Sequence, residues 1–204
     1  EATYLIGVAA AMLTEADKVG VVSALDIPFL HRYTEGYAMG ARSVDSDIEV
    51  DVRWVGGENP FADPVRAKEQ AAAIHAAGSD VIFTATAGGD FGVFEAAREQ
   101  DFLAFAVDVN LCPEAPEQMV SGTLKRVDNA ILAAVEAIEA GETQVTLAMG
   151  LAEGGMSIIG LEDEGLADSQ CLIADMPEVI ERVREVAEEI KSGSLEIPDP
   201  MFAQ

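Results

Sequence analysis

Asp108 and Lys125 are the two residues whose charges could bind a ligand together. Asp108 follows the apolar segment 102–107, and Lys125 lies on a short predicted strand, 123–126, beyond a connection that contains two prolines. A Lys on a buried strand needs a charged partner, for which Asp108 is the natural candidate. Its carboxylate could equally accept hydrogen bonds from vicinal hydroxyl groups. The pair therefore predicts either a site for a hydroxyl-bearing ligand or a structural ion pair between two lobes.

Aromatic residues near predicted strand ends could bind a flat ligand. Phe61 lies in a loop directly after the strand that carries Trp54, and Tyr33 or Phe29 could present a second ring from a neighbouring loop. An exposed ring offers an apolar face on which a base or a sugar can stack. The alternative is that Phe61 packs against its own helix and that Tyr33 and Phe29 belong to the core.

The segment 87–92 (AGGDFG) lies between a predicted strand and a predicted helix. Free backbone amides at a helix N-terminus attract anions, so such a turn could bind phosphate. The glycine spacing does not match a dinucleotide-binding fingerprint, no Walker Lys is present, and Asp90 would place a negative charge beside a phosphate. Gly88 and Gly89 therefore predict either close backbone approach to a neutral ligand or simply a tight turn.

Catalytic and metal-binding constellations are not found in the sequence. His31 and His75 are the two imidazoles, and no Ser or Cys nucleophile in a strained turn accompanies His31. The His, Cys and carboxylate residues lack metal-ligand spacing. We expect no catalytic residue, no metal and no cofactor.

Composition excludes further classes of protein. The 204 residues are 50% hydrophobic, which is incompatible with a disordered chain, and 12 Lys and Arg against 37 Asp and Glu give a net charge of −25. This charge disfavours binding to nucleic acid or to an anionic membrane surface. The longest apolar stretch is far shorter than a membrane span. Cys112 and Cys171 could pair in an oxidising compartment or remain as small buried thiols.

Helical and strand patterns alternate along the chain, and this order predicts an α/β fold with a parallel sheet covered on both faces. In such a sheet, ligands bind beyond the carboxyl ends of the strands, where the residues named above lie. The predicted strands are 19–25, 49–55, 80–86, 102–107, 123–126 and 144–149. The predicted helices are 2–16, 28–42, 63–78, 91–100, 127–140 and 177–193.

The chain resembles the basic membrane protein family of ABC-transporter solute-binding lipoproteins, a group that includes purine nucleoside receptors. The matching segments cover most of the chain in the family's order. They are 4–10 (YLIGVAA), Pro28, 32–37 (RYTEGY), Gly40, 54–55 (WV), Phe61, 63–64 (DP), 78–82 (GSDVI), 87–89 (AGG), 107–108 (VD), 121–125 (SGTLK), 127–128 (VD) and 190–193 (IKSG).

This resemblance implies a type-I periplasmic-binding-protein fold, in which two α/β lobes close on a nucleoside-like ligand. The family's base-stacking aromatic falls on Phe61, its ribose-binding acid and lysine on Asp108 and Lys125, and a backbone contact on Gly88 or Gly89. Tyr33 stands where the family usually has Phe, and Asn110 where it often has Asp. Both departures bear on the identity of the ligand.

The resemblance also implies a division of the chain, with most of the N-terminal lobe missing from it. Residues 1–108 are expected to form the C-terminal-type lobe and 109–126 a hinge crossover. Residues 127–150 would belong to the other lobe, and 151–204 would form the return segment and C-terminal helix.

The function implied is that of the solute-binding component of an ABC importer, at the periplasmic or extracytoplasmic face of the membrane. Its expected partners are a small molecule, a purine nucleoside first among them, and the permease. Membrane attachment would come only from a lipid anchor outside this chain. Two alternatives remain open: a nucleoside- or sugar-acting hydrolytic enzyme that uses Asp108 as a base, and a ligand-sensing domain that does not transport.

Overall fold

The computed structural model describes residues 1–201 and contains a six-stranded sheet with helices packed around it. Five neighbouring strands run parallel, and the sixth joins the edge antiparallel, in the order β2-β1-β3-β4-β5-β6. The strands are β1 (Lys18–Ser23), β2 (Glu49–Trp54), β3 (Val81–Ala85), β4 (Leu103–Ala106), β5 (Met119–Lys125) and β6 (Met156–Ile158). The predicted α/β class with a mostly parallel sheet is therefore confirmed.

The described chain contains six α-helices, and those that lie between consecutive parallel strands form the crossover connections. The six are α1 (Ala2–Leu13), α2 (Pro28–Val44), α3 (Pro64–Ala76), α4 (Asp90–Gln100), α5 (Val127–Glu139) and α6 (Pro177–Lys191). The start of α3 shows how local sequence sets these boundaries. Asp63 Oδ1 accepts a hydrogen bond from the Arg66 N–H at 3.0 Å, and Pro64 takes the first helical position, where its missing N–H costs nothing.

The core lies around β1, β3 and β4, whose side chains are almost all buried. A central parallel strand is covered on both faces, so its sequence is a continuous apolar run instead of an alternating one. Close helix packing adds to this core, because α1 and α2 meet through small residues. A side chain on Gly40 would overlap the backbone carbonyl of Tyr4, and one on Gly7 would overlap that of Tyr37.

Two strand predictions differ from the structure. The strand predicted at 123–126 is longer and begins at Met119, within the segment expected to cross between lobes, and it pairs in parallel with β4. The strand predicted at 144–149 is wrong, because residues 145–150 have no regular structure. An extended segment becomes a strand only where a neighbour accepts its backbone hydrogen bonds. Met156–Ile158 has that neighbour in β5, and 144–149 has none in the described chain.

A disulfide joins Cys112 to Cys171, which resolves the two alternatives left open by the sequence. It links the turn after β4 to the segment before α6. Asn110 lies beside it, with its Oδ1 accepting a hydrogen bond from the Cys112 N–H at 3.0 Å. Within residues 1–201, no helix is long and apolar enough to cross a membrane.

Candidate functional site

The loops that follow β1, β2, β3 and β4 all emerge at one edge of the sheet, because these strands are parallel and adjacent. This carboxyl edge holds most of the residues predicted to bind a ligand. Tyr33 lies on α2 beyond β1, Phe61 follows β2, Gly88 and Gly89 follow β3, and Asp108 follows β4. Lys125 reaches the same edge as the last residue of β5.

Asp108 and Lys125 form an ion pair with 2.6 Å between Lys125 Nζ and Asp108 Oδ1. The backbone fixes both residues, since the Lys125 N–H donates to the Asp108 carbonyl at 2.9 Å and the Asp108 N–H donates to Thr123 Oγ1 at 3.2 Å. Asp108 adopts a left-handed φ of 72°, a conformation that non-glycine residues seldom take and that often marks functional sites. The side chains remain 39% and 40% exposed, so a ligand can reach both.

Tyr33 lies beside this ion pair. It lines a cavity of about 290 Å³ together with Lys125, Phe29, Met149 and Met156. Partial burial lowers the pKa of Lys125, but the Asp108 carboxylate and the Tyr33 hydroxyl outweigh this effect and hold it above its ordinary value. The lysine is therefore a permanent cation at neutral pH. The rings of Phe29 and Tyr33 pack edge to face, 5.7 Å apart, at the rim of this cavity.

Phe61 and Gly88 form a second group, joined by a hydrogen bond from the Gly88 N–H to the Phe61 carbonyl at 2.9 Å. The Phe61 residue is 41% exposed and is not part of the core. A side chain on Gly88 would come within 3.2 Å of the Phe61 carbonyl, so the Phe61 backbone would have to shift slightly to admit it. Gly89 is buried, and a side chain there would come within 2.7 Å of Thr86 Oγ1.

The first residue of α4, directly after the turn that follows β3, is a buried carboxyl group, Asp90, which is 1% exposed. Asp90 Oδ1 accepts three hydrogen bonds, from the Thr86 N–H at 2.9 Å and from the Thr84 and Thr86 hydroxyls at 2.7 Å each. Burial raises the pKa of Asp90 to about 6, although these hydrogen bonds act to lower it and the charge of Asp108 adds to the rise. The sequence shows an Asp after Gly-Gly at the start of a helix, but not its burial.

His31 is held at the same edge by two carboxylates. Its Nε2 lies 2.8 Å from Asp26 Oδ1 and its Nδ1 lies 2.9 Å from Glu35 Oε1, while its ring stacks on Trp54 with 5.5 Å between centroids. Hydrogen bonds to Glu35 and Asp26 raise the pKa of His31. This arrangement stabilises an imidazolium and leaves neither ring nitrogen available as a base. Among residues 1–201, no cluster of three His, Cys, Asp or Glu side chains is suited to a metal ion.

A pairing that the sequence did not indicate lies next to the cavity beside Tyr33. Arg32, which also lines that cavity, donates a hydrogen bond from its Nε to Asp199 Oδ1 at 2.9 Å and so fastens the C-terminal segment to α2. The two residues are 167 positions apart, and no local pattern relates them.

The family model described as "ABC transporter substrate-binding protein PnrA-like" (Bmp) matches residues 1–199. The ABC transporter nucleoside-binding protein BmpA of Lactococcus lactis is 39% identical over 98 residues, which are 48% of this chain and 27% of that protein. The putative ABC transporter glucose-binding protein TsgA13 of Haloferax volcanii is 43% identical over 82 residues, which are 40% of this chain and 20% of that protein.

The same fold occurs in a solved ABC transporter solute-binding protein from Aeropyrum pernix K1. Its structure aligns with a TM-score of 0.78 and 22% identity, over 98% of this chain and 64% of that one. Curated relatives that match along nearly the whole chain are covered over 56% and 57% of their own length. The chain thus spans little more than half the length of such relatives.

Proposed function

Because this chain belongs to the Bmp family of PnrA-like ABC transporter substrate-binding proteins, we propose that it forms one wall of a cleft that binds a nucleoside-like molecule. The second wall would come from the other lobe of a full-length protein. The protein would capture the ligand outside the cytoplasm and deliver it to the permease of an ABC importer. It would carry out no chemical reaction on the ligand.

The Asp108–Lys125 pair is the observation that carries this proposal. A half-exposed carboxylate and ammonium 2.6 Å apart present an acceptor and a donor side by side. Two neighbouring hydroxyls of a ribose offer the complementary donor and acceptor, and charge-assisted hydrogen bonds of this kind are stronger than neutral ones. Since the ion pair is already formed, the protein loses little conformational freedom when the ligand binds.

Phe61 supports the base-binding half of the proposal. Its exposed ring at the carboxyl edge can stack on a purine, and the hydrogen bond from Gly88 holds the loop that carries it. Tyr33 would act from the other side of the ion pair, where its hydroxyl can share a hydrogen bond with the ligand. Stacking and a few charge-assisted bonds in a desolvated cleft suffice for micromolar binding or better, about −8 kcal/mol.

Calorimetric titration of the full-length protein with adenosine tests the proposal. We expect Phe61→Ala to weaken binding by about tenfold or more, because base stacking on an aromatic ring contributes about 1–3 kcal/mol. Asp108→Asn should weaken it similarly, since Lys125 loses its charged partner. Val109→Ala is the matched control, because it removes an exposed apolar side chain next to Asp108. Equal adenosine affinity in wild type and Phe61→Ala would refute the stacking role.

A sugar is the second candidate ligand, because the Haloferax volcanii relative is named as glucose-binding. A pyranose also presents vicinal hydroxyls to Asp108 and Lys125 and an apolar face to Phe61. Parallel titrations with glucose and adenosine decide between the two. Tight glucose binding that depends on Phe61, with no heat from adenosine, would replace the nucleoside by a sugar and leave the solute-binding role intact.

A further inference from the structure

Asp108 lies at the centre of a strained turn that directly follows β4. Its φ is 72°, and the Val109 N–H donates to the Val107 carbonyl across it at 2.9 Å. A positive φ under a hydrogen bond between residues i and i+2 is typical of a γ-turn of the rare, strained type. Such a conformation persists only where the surrounding structure holds it. The orientation of the Asp108 carboxylate therefore depends on what holds the chain around this turn.

The sheet holds the turn on one side. The Asp108 N–H donates to Thr123 Oγ1 at 3.2 Å, and the Asp108 carbonyl accepts from the Lys125 N–H at 2.9 Å. Both partners belong to β5, which pairs with β4. The next residue along the chain, Val109, is 54% exposed and gives no comparable anchor. The chain that leaves the turn must therefore be held by residues further on.

Asn110 provides this anchor, because its side chain forms hydrogen bonds in two directions. Its Oδ1 accepts from the Cys112 N–H at 3.0 Å, within the same segment. Its Nδ2 donates to the Ser169 carbonyl at 3.0 Å, 59 positions away in sequence. Ser169 is 5% exposed, so water competes little for the second bond. A single amide side chain thus shapes the chain after Asp108 and joins it to the segment 169–171.

The Cys112–Cys171 disulfide makes the same connection covalently. Cys171 Sγ lies 3.7 Å from Asn110 Oδ1, and the Cys171 N–H donates to Ser169 Oγ at 3.1 Å. Both cysteines are buried. Asn110, Cys112, Ser169 and Cys171 therefore form one connected cluster, the Asn110 clamp, which begins two residues after Asp108.

We propose that Asn110 is a positioning residue for ligand binding: through the Asn110 clamp it holds the strained turn in which Asp108 presents its carboxylate to ligand hydroxyls. The inference rests on the proposed solute-binding function. Asn110 acts through Asp108, since its own amide is bonded within the clamp. Without the clamp, the turn can relax to an ordinary φ and move the carboxylate. Binding then weakens, because charge-assisted hydrogen bonds to a ligand depend on the position of the charged group.

Titration of the full-length protein with adenosine and with 2′,3′-dideoxyadenosine tests the proposal by calorimetry. The dideoxy analogue keeps the base but lacks the two ribose hydroxyls, so its binding does not depend on Asp108. Asn110→Ala should weaken adenosine binding by about tenfold, the effect of losing a hydrogen bond to a charged group, and change dideoxyadenosine binding by less than about twofold. A Cys112→Ala, Cys171→Ala double variant should show the same selective loss.

Asn110→Asp is the conservative variant. It keeps an oxygen that accepts from the Cys112 N–H but loses the donor to the Ser169 carbonyl. Its adenosine affinity should therefore lie between those of the wild type and Asn110→Ala.

A double-mutant cycle with Asp108→Asn gives a readout that a general effect on the fold would not produce. In that background Asn110→Ala should weaken binding by less than about twofold, because the carboxylate that Asn110 positions is already gone. The cycle is measured with adenosine and with glucose, so that it applies to either candidate ligand. Asn129→Ala is the matched control. It removes the bond from Asn129 Nδ2 to the Gly154 carbonyl at 2.8 Å, which also joins two segments but lies outside the clamp. Its ligand affinity should equal that of the wild type.

Two results overturn the inference and leave the solute-binding role in place. Unchanged ligand affinity in a folded Asn110→Ala variant shows that the clamp does not position Asp108. Equal losses for adenosine and dideoxyadenosine, or an undiminished loss in the Asp108→Asn background, show that Asn110 only stabilises the fold. Absence of wild-type binding to adenosine and glucose alike refutes the proposed function and the inference with it. Thermal unfolding checks that each variant is folded, and Asn110→Asp replaces Asn110→Ala in the cycle if the latter does not fold.

Discussion

The Cys112–Cys171 disulfide allows a quantitative prediction of stability. Both cysteines are buried, and they are 59 positions apart in sequence. The bond constrains the unfolded chain, and a closed loop of about 60 residues corresponds to about 4 kcal/mol of stabilisation at room temperature. Reduction should therefore lower the free energy of unfolding by about 4 kcal/mol, a large part of the 5–15 kcal/mol that is typical of a protein domain.

Equilibrium unfolding in urea, with and without a reductant, measures this difference. We expect the midpoint to fall and the m-value to rise in the reduced protein, because an unfolded chain without the cross-link exposes more surface. A Cys112→Ala, Cys171→Ala double variant is the control. Its unfolding should not depend on the reductant, and it should be somewhat less stable than the reduced wild type, since each substitution leaves a small cavity in the core.

A loss of less than about 1 kcal/mol in the free energy of unfolding on reduction would refute the reasoning. It would mean that the segment between the two cysteines is restrained in the unfolded state even without the disulfide. An unchanged m-value with the full loss of stability would place the effect in the folded state instead. The same samples, titrated with ligand, show whether the segment after Asp108 needs the disulfide to keep the Asp108–Lys125 pair in position.

Two further predictions concern a buried charge and a helix contact. The pKa of Asp90 rises from 3.8 to about 6 on folding, so the folded state binds this proton more tightly than the unfolded chain does. The stability that comes from the protonated carboxyl group is therefore complete below pH 3.8 and is lost as the pH rises through about 6. Asp90→Asn should therefore stabilise the protein by up to about 3 kcal/mol near pH 8 and by little near pH 4. Urea unfolding at the two pH values measures the effect, and an equal stabilisation at both would contradict the prediction. Gly40→Ala should destabilise the protein by more than about 2 kcal/mol, because the new methyl group meets the rigid Tyr4 backbone. Gly36→Ala should destabilise it less, because there the new methyl group meets the Thr3 hydroxyl, which can rotate away. Thermal unfolding ranks the two variants, and the opposite order would show that α1 and α2 can move apart.

The pairing of Asp108 with Lys125 is the part of the candidate site that the sequence anticipated best. An Asp at the end of an apolar run and a Lys on a predicted strand are both local patterns. A partly buried lysine requires a charged partner, which allowed us to pair the two residues although they are 17 positions apart. The roles of Phe61, Gly88 and Tyr33 in binding remain predictions. The structure adds that Phe61 and Gly88 are joined by a backbone hydrogen bond, which residue types alone do not reveal.

The alternation of helices and strands was readable from the sequence because hydrophobic period and end signals such as Asp63-Pro64 act within a few residues. Only the tertiary structure decided which segments found partners. Residues 144–149 have a strand-like composition but pair with no strand in the described part of the chain, whereas Met156–Ile158 pairs with β5 and Cys112 bonds to Cys171. The burial of Asp90 was likewise decided by the tertiary structure. Burial and pairing depend on segments far apart in the chain, and one-dimensional periodicity carries no information about which of them meet.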